Sequence, residues 1–114
     1  MSVLAFVLQN TKLRMSDILI YGRSMGTAVA VALAKEFKSQ PPAALILVSP
    51  FRSLKDIVVH HLGCLFKCLL QQQFDSHSNI LEVDNSCPIL LIHGIKDFLI
   101  PFDNSYRIYQ SLCQ

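Results

Sequence analysis

The chain has 114 residues, a length within the usual range for one domain, and we predict a single domain over residues 1–114. It is 52% hydrophobic and 16% charged, so it is more apolar and less charged than most soluble globular chains. The net charge of +2 comes from basic and acidic residues spread along the chain. Because no basic stripe stands out, we expect no nucleic-acid partner.

Two apolar stretches and the cysteines indicate the cellular compartment of the protein. Residues 3–8 are apolar but lack a basic n-region and a cleavage site, so we expect no signal peptide. Residues 57–70 are too few for a membrane span and include His60, His61 and Lys67. The cysteines are Cys64, Cys68, Cys87 and Cys113. Their spacing fits no zinc site, so we expect reduced thiols, no metal and a cytoplasmic protein.

The first half of the chain predicts helices and strands in alternation. Residues 3–9 are typical of the last turns of a helix, and no N-cap signal precedes them. The continuous apolar runs at 17–21 and 43–49 are typical of strands buried on both faces of a parallel sheet. Between them, the alanine-rich stretch 25–37 predicts a helix that ends before Pro41 and Pro42.

The second half continues this alternation. Ser53 or Asp56 is expected to cap a helix that reaches about residue 73, and residues 75–85 are expected to be irregular.

A third strand is expected over 88–94, followed by a loop and an amphipathic helix over 105–112 that Asp103 or Asn104 would cap. This order of elements predicts a parallel sheet with helical crossovers.

A short turn between the first strand and its helix suggests a nucleophile. Gly22-Arg23-Ser24-Met25-Gly26 fits a GxSxG pattern, and the strand before it and the helix after it make the pattern meaningful. A sharp turn at this point strains the serine backbone. The residues two before and two after the serine must then be small to avoid clashing with each other, and Gly22 and Gly26 meet that need. The turn would raise the Ser24 hydroxyl above the sheet and aim the Met25 N–H at a developing oxyanion.

Asp97 is the candidate acid. It follows His93-Gly94 at the end of the third strand, the edge where open α/β sheets place their sites. A carboxylate there can orient an imidazole and stabilise its charged form. We favour this role over that of a loop aspartate that caps backbone amides, and we interpret His93 as a hydrogen-bonded structural histidine.

Taken together, these residues resemble the α/β-hydrolase superfamily, and within it the single-domain serine hydrolases that include protein depalmitoylases and serine aminopeptidase-like hydrolases. The matching segments are 18–27, Ser49-Pro50-Phe51, and His93-Gly94 with Asp97 and Ile100-Pro101. The resemblance implies an α/β fold that keeps the strands usually numbered five to seven, their helices and a short cap. It also implies a serine hydrolase that needs no cofactor and cleaves an ester or thioester through an acyl-enzyme on Ser24.

The family pattern places its histidine after one further strand, and the histidine is absent from that position here. His60, His61 and His77 lie between Ser24 and Asp97, whereas the family order is serine, acid, histidine. The resemblance also implies that the second oxyanion donor comes from a loop after an earlier strand, upstream of Met1. We therefore expect a truncated member that is inactive as an isolated chain. The alternative is a non-catalytic fragment or pseudoenzyme that serves as a binding module or reflects a truncated gene model.

The expected partners follow from the same interpretation. An acyl ester or thioester of a lipid or an acylated protein is the expected substrate. The apolar segment 57–70 would serve as a cap that touches an acyl chain or a membrane surface, or as a plain helix packed on the sheet. Open edges on the first and third strands predict self-association.

Overall fold

The computed structural model describes residues 3–53 and 76–113. The helix expected from Ser53 or Asp56 to about residue 73, with its cap segment 57–70, lies outside the described residues, as do His60 and His61. Within the described part of the chain, no helix is both long and apolar enough to cross a bilayer.

The described residues form three parallel strands with helices, a partial α/β sheet that confirms the predicted fold class. In chain order the elements are α1 (Val3–Asn10), a 3-10 turn (Met15–Asp17), β1 (Leu19–Arg23), α2 (Met25–Glu36), β2 (Ala44–Val48), α3 (Ser76–Ile80), β3 (Ile89–Ile92) and α4 (Asp103–Leu112). The strands lie in the order β1-β2-β3, so each crossover joins neighbouring strands.

The structure differs from the predicted elements at three places. Asp17 lies in the 3-10 turn rather than in a strand, because its carboxylate accepts the N–H of Arg14. Within the expected irregular stretch 75–85 the chain forms the short helix α3, whose Ile80 is buried in the core.

The third difference concerns the start of α4. This helix begins at Asp103 rather than at residue 105, and its N-cap is Phe102, which makes no capping hydrogen bond with its side chain. Asp103 instead accepts a hydrogen bond from the Arg107 side chain, one turn later on the helix. Asn104 donates its side-chain amide to the carbonyl of Pro101.

The main core lies on one face of the sheet. Ile20, Leu45 and Leu47 alternate with outward residues along β1 and β2, as a pleated strand requires, and they pack against α2, α3 and α4. The alanines of α2 let the helix approach the sheet closely. A second, small cluster of Ala28, Phe51 and Ile100 lies where α2 begins and joins the loops after β2 and β3 to that helix.

Candidate active site

The three strands end side by side, and the backbone hydrogen bonds between them continue one residue into the loops. Arg23 pairs with Val48, and Val48 pairs with Ile92, so the last residues of the strands form one row. Beyond this row the Ser24 N–H donates to the Val48 carbonyl at 2.9 Å, and the Ser49 N–H donates to the Ile92 carbonyl at 2.8 Å. The loops that carry the candidate residues therefore start from one edge of the sheet, the carboxyl end of parallel strands.

Ser24 has a backbone conformation that favours glycine. Its φ is 51° and its ψ is −124°, between the end of β1 and the start of α2. A non-glycine residue in this region carries strain of about 1–3 kcal/mol, which the surrounding structure must hold. The sharp strand-to-helix turn that the sequence predicts at this serine is therefore present.

Gly22 makes that turn sterically feasible. A Cβ added to it would lie 2.6 Å from the Gly26 carbonyl oxygen and 2.8 Å from both the Thr27 Cα and the Ala30 Cβ. Two of these atoms belong to the backbone of α2, so they cannot move aside cheaply. A glycine at position 22 lets the helix lie directly against the strand.

Gly26 does not meet the steric expectation. Among the described residues, no atom lies within 4 Å of a Cβ added there. The close contact at Gly22 is with the backbone carbonyl of Gly26, a group that any residue at position 26 would also have. A larger side chain at position 26 would therefore not clash with Gly22. Within the described residues, the structure therefore gives a steric reason for a small residue at position 22 and none at position 26.

The start of α2 leaves the serine hydroxyl outside the helix. The Ser24 side chain makes no capping hydrogen bond to α2, whereas the Thr27 hydroxyl and the Thr27 N–H both donate to the Ser24 carbonyl, at 2.6 and 2.9 Å. Met25 is the first residue of the helix, and first-turn N–H groups have no partner within the helix. This arrangement suits the expected pairing of a nucleophile with an oxyanion donor.

Asp97 lies in a turn that holds both of its carboxylate oxygens. Oδ1 accepts the N–H groups of Leu99 and Ile100 at 3.0 and 2.9 Å, and Oδ2 accepts the Ser49 hydroxyl at 3.0 Å. The Asp97 N–H donates to the Gly94 carbonyl, which closes the turn. Asp97 thus caps backbone amides, as the alternative interpretation expects, and it also presents a held carboxylate at the edge that carries Ser24.

These donors favour the charged carboxylate. The N–H of Ile100 contributes most to holding the pKa of Asp97 below its ordinary value of 3.8, and the Ser49 hydroxyl, the Leu99 N–H and nearby His93 act in the same direction. Partial burial opposes them. Asp97 is therefore ionised at neutral pH, as an acid that orients an imidazole must be.

His93 is held by hydrogen bonds on both ring nitrogens. Its Nε2 lies 2.7 Å from the carbonyl of Ile100, which can accept only, so Nε2 carries the proton. In the neutral ring, Nδ1 accepts the hydroxyl of buried Ser105. The side chain is 2% exposed, and Nε2 lies 3.7 Å from Oδ2 of Asp97. These contacts match the interpretation of His93 as a structural histidine that supports the acid loop.

His77 is also engaged away from this edge. It lies in α3, and its Nε2 is 2.9 Å from the hydroxyl of Ser111 in α4. Across residues 3–53 and 76–113, no group of three or more histidine, cysteine, aspartate or glutamate side chains could hold a metal ion.

Comparison with known proteins identifies the family. The family model described as "Serine hydrolase (FSH1)" matches residues 4–114 of the chain. The chain belongs to this family. The predicted resemblance to the α/β-hydrolase superfamily is thereby confirmed.

The chain is also similar to three curated proteins. Uncharacterized protein Rv2307c of Mycobacterium tuberculosis is 39% identical over 80% of the chain and 31% of its own length. Alpha/beta hydrolase domain-containing protein 17B of Homo sapiens is 32% identical over 90% of the chain and 32% of its own length. Lysophosphatidylserine lipase ABHD12 of Danio rerio is 29% identical over 83% of the chain and 28% of its own length.

The chain spans about a third of the length of these curated relatives. No solved structure matches it significantly.

The sequence suggested no role for Ser49, Ser105 or Phe51. Ser49 and Phe51 belong to a segment that carried the resemblance, and Ser49 directly follows a buried strand, as Ser24 does. This shared position at the end of a buried strand was the feature of the sequence that could have indicated a role for Ser49. Ser105 gave no comparable signal, because its contact with His93 spans a loop whose path the sequence does not specify.

Proposed function

We propose that the chain is the part of a serine hydrolase that supplies the nucleophile Ser24 and the acid Asp97. The strained backbone of Ser24, at the carboxyl end of β1 and the start of α2, is the observation that carries this proposal. Strain persists in proteins where the surrounding structure enforces it, and it concentrates at active sites. Membership of the serine hydrolase family supports the same assignment.

The proposed reaction proceeds through an acyl-enzyme. The Ser24 oxygen attacks the carbonyl carbon of an ester or thioester while an imidazole takes the hydroxyl proton, and the Met25 N–H donates to the resulting oxyanion. Collapse of this intermediate breaks the bond to the alcohol or thiol, which leaves with the proton from the imidazole. Water then attacks the acyl-enzyme in the same way, which releases the acid and restores the serine. Asp97 keeps the imidazole in the required tautomer.

Apolar side chains around this edge support a fatty-acyl substrate. Ile95, Phe98 and Leu99 flank Asp97 and are largely exposed in the described structure, as is Met25 beside the nucleophile. An acyl chain of a lipid or an acylated protein would cover such side chains favourably. One relative is named for lysophosphatidylserine, a lipid. We therefore propose a cytoplasmic enzyme that contacts membranes peripherally, with lipid or acylated-protein substrates.

The contacts of His93 favour a second candidate function. Because both ring nitrogens are engaged, this ring has no lone pair for a serine proton. A chain that lacks a base would keep the scaffold without its chemistry and act as a non-catalytic binding module. This alternative belongs to a different class of protein, and one experiment separates the two.

Labelling with a fluorophosphonate probe tests the proposed function, since the probe reacts with an activated serine. The purified chain is compared with Ser24→Ala and with Ser39→Ala, an exposed serine away from this edge. If the chain is a hydrolase, the probe labels the unmodified chain and Ser39→Ala but does not label Ser24→Ala. A folded chain that resists the probe, with an unfolding transition equal to that of Ser24→Ala, overturns catalysis by the isolated chain and supports the binding module.

A further inference from the structure

We propose that Ser49 is a positioning residue for Asp97, holding the carboxylate in the orientation that the triad acid requires. The proposal rests on the proposed function, because the orientation matters for catalysis only where Asp97 serves as the acid. It extends that function to a residue of the central strand's loop, between the nucleophile and the acid.

The contacts of the carboxylate show what Ser49 contributes. The N–H groups of Leu99 and Ile100 hold Oδ1 from within the acid loop itself. The Ser49 hydroxyl holds Oδ2 at 3.0 Å, from a different strand and 48 residues earlier in the chain. With both oxygens held, the carboxylate cannot rotate freely about its Cβ–Cγ bond. Ser49 is the donor that fixes the acid relative to the sheet rather than relative to its own loop.

The geometry at Oδ2 leaves room for an imidazole. A carboxylate oxygen has two acceptor positions, and the Ser49 hydroxyl takes one of them. The Nε2–H of His93 is directed to the Ile100 carbonyl and lies 3.7 Å from Oδ2, so it does not take the other. The Nδ1–H of a catalytic imidazole can therefore reach the remaining position.

The backbone at position 49 supports a role for the side chain. Ser49 has φ 48°, a conformation that glycine adopts without strain, and the hydrogen bond from its N–H to Ile92 holds it there. The next two residues, Pro50 and Phe51, are buried, which fixes the direction of the loop. Glycine would meet the backbone requirement alone. A serine in this place retains strain and adds a hydroxyl, and that hydroxyl contacts the acid.

Two variants separate the hydroxyl from the backbone. Ser49→Ala removes the hydroxyl and keeps the strain, whereas Ser49→Gly removes both. Titration of the Asp97 carboxyl carbon by NMR reports the pKa of the acid directly. We expect this pKa to rise toward its ordinary value in both variants, because each loses a donor to the carboxylate, while the glycine variant unfolds at a higher denaturant concentration than the alanine variant.

A matched control is available at a second serine–aspartate pair. The Ser86 hydroxyl donates to Oδ1 of Asp84, and this contact is the main cause that lowers the pKa of Asp84. Ser86→Ala is expected to raise the pKa of Asp84 and to leave that of Asp97 unchanged. This control shows that the titration detects the loss of one hydroxyl donor.

Two outcomes overturn the proposal. An Asp97 titration that stays unchanged in both variants shows that the hydroxyl does not act on the acid. A rise in the glycine variant alone shows that the backbone conformation, not the hydroxyl, sets the carboxylate.

The rate of fluorophosphonate labelling separates this proposal from the proposed function. Where Ser24 is labelled, we expect the rate to fall about tenfold in both Ser49 variants, the loss equivalent to one hydrogen bond to a charged group. Labelling at an unchanged rate overturns the positioning role and leaves the hydrolase intact. Absence of labelling together with a moved Asp97 titration overturns catalysis by the chain and supports the hold of Ser49 on Asp97.

Discussion

Strain at Ser24 has a consequence for stability as well as for chemistry. The serine is held at φ 51°, where glycine would be relaxed, and its side chain does not cap α2. Folding stability and the proposed activity therefore make opposite demands on this residue. Many enzymes show the same opposition, because active sites are not optimised for stability.

We expect Ser24→Gly to raise the free energy of unfolding by about 1 kcal/mol, since the relief of strain exceeds the extra entropy of glycine in the unfolded chain. Ser24→Ala keeps the strain and should unfold like the unmodified chain. Urea denaturation of the three proteins measures the difference. A lower midpoint for the glycine variant than for the alanine variant would show that the turn carries no strain, because only the entropy cost of glycine would then remain.

The two glycines of the turn give a matched pair of substitutions. Gly22→Ala places a Cβ 2.6 Å from the Gly26 carbonyl oxygen, so we expect a loss of about 3 kcal/mol. Gly26→Ala meets no described atom within 4 Å and lies in the first turn of α2, where alanine is favoured over glycine by up to about 1 kcal/mol. Thermal unfolding compares the two. A stabilised Gly22→Ala variant would contradict the close approach of strand and helix.

Asp97 makes stability depend on pH in a defined direction. Its pKa in the folded chain is held below 3.8, chiefly by the Ile100 N–H, so between the folded and ordinary values the unfolded chain binds more protons. The stabilisation is complete above the ordinary value and is lost as the pH falls through the folded value. Asp97→Asn should therefore lose less stability than the unmodified chain between pH 5 and pH 2. Parallel denaturation curves at each pH would count against this contribution.

Sequence reasoning at the residue level succeeded where one short segment determines the geometry. The turn at Ser24 and the need for glycine at Gly22 follow from neighbouring residues, because the strand, the turn and the helix are continuous in the chain. The contact between Ser49 and Asp97 joins residues 48 positions apart and depends on the order of the strands. The sequence predicted that order, but it did not predict which side chains would meet across it.

At the level of elements, the loops after β2 and β3 depend on one small cluster. Phe51 is 2% exposed and packs with Ala28 and Ile100, so it joins both loops to the start of α2. The N–H of Ile100 is also a donor to Asp97. Packing in this cluster therefore helps to hold the acid.

We expect Phe51→Ala to cost about 3 kcal/mol and to speed hydrogen exchange at the Ile100 amide more than at amides within α2. Phe98→Ala is the matched control, because Phe98 is 87% exposed and its loss should change stability by less than about 0.5 kcal/mol. If the Ile100 amide exchanges only through global unfolding in both the unmodified chain and Phe51→Ala, the cluster does not stabilise the acid loop beyond the stability of the whole fold.

Elements were predicted best where the apolar pattern was continuous. The three strands and the helices α1 and α2 lie where the sequence places them, with ends that differ by one or two residues. The short helix α3 was not predicted, because its polar sequence has no helical period and its helix depends on burial of Ser76 and Ile80. Tertiary packing supplied what the local pattern lacked.

At the level of the whole molecule, one face of the sheet carries apolar side chains that the described residues leave exposed. Leu19 and Tyr21 of β1 lie in register with Ala44 and Ile46 of β2, and Ile46 pairs with Leu90 of β3. Tyr21 is 60% exposed and Leu90 is 52% exposed. Among the described strands, β1 and β3 also have one unpaired edge each. Such a surface favours association with other copies of the chain.

We propose that the isolated chain self-associates through this surface, and that Tyr21→Lys combined with Leu90→Lys weakens the association. Gln40→Lys combined with Gln110→Lys adds the same charge at exposed positions elsewhere. Sedimentation should give a mass well above 12.8 kDa for the unmodified chain and the control, and a mass near 12.8 kDa for the first variant. A monomeric unmodified chain would refute the proposal.

The continued ladder at the strand ends also sets a length. The strands that lead to Ser24 and to Asp97 are separated by β2, and two strand spacings amount to about 9.5 Å. The hydrogen bonds from Ser24 to Val48 and from Ser49 to Ile92 keep this spacing up to the point where the loops begin. The sheet thus sets the separation of the strand ends from which the nucleophile turn and the acid loop start.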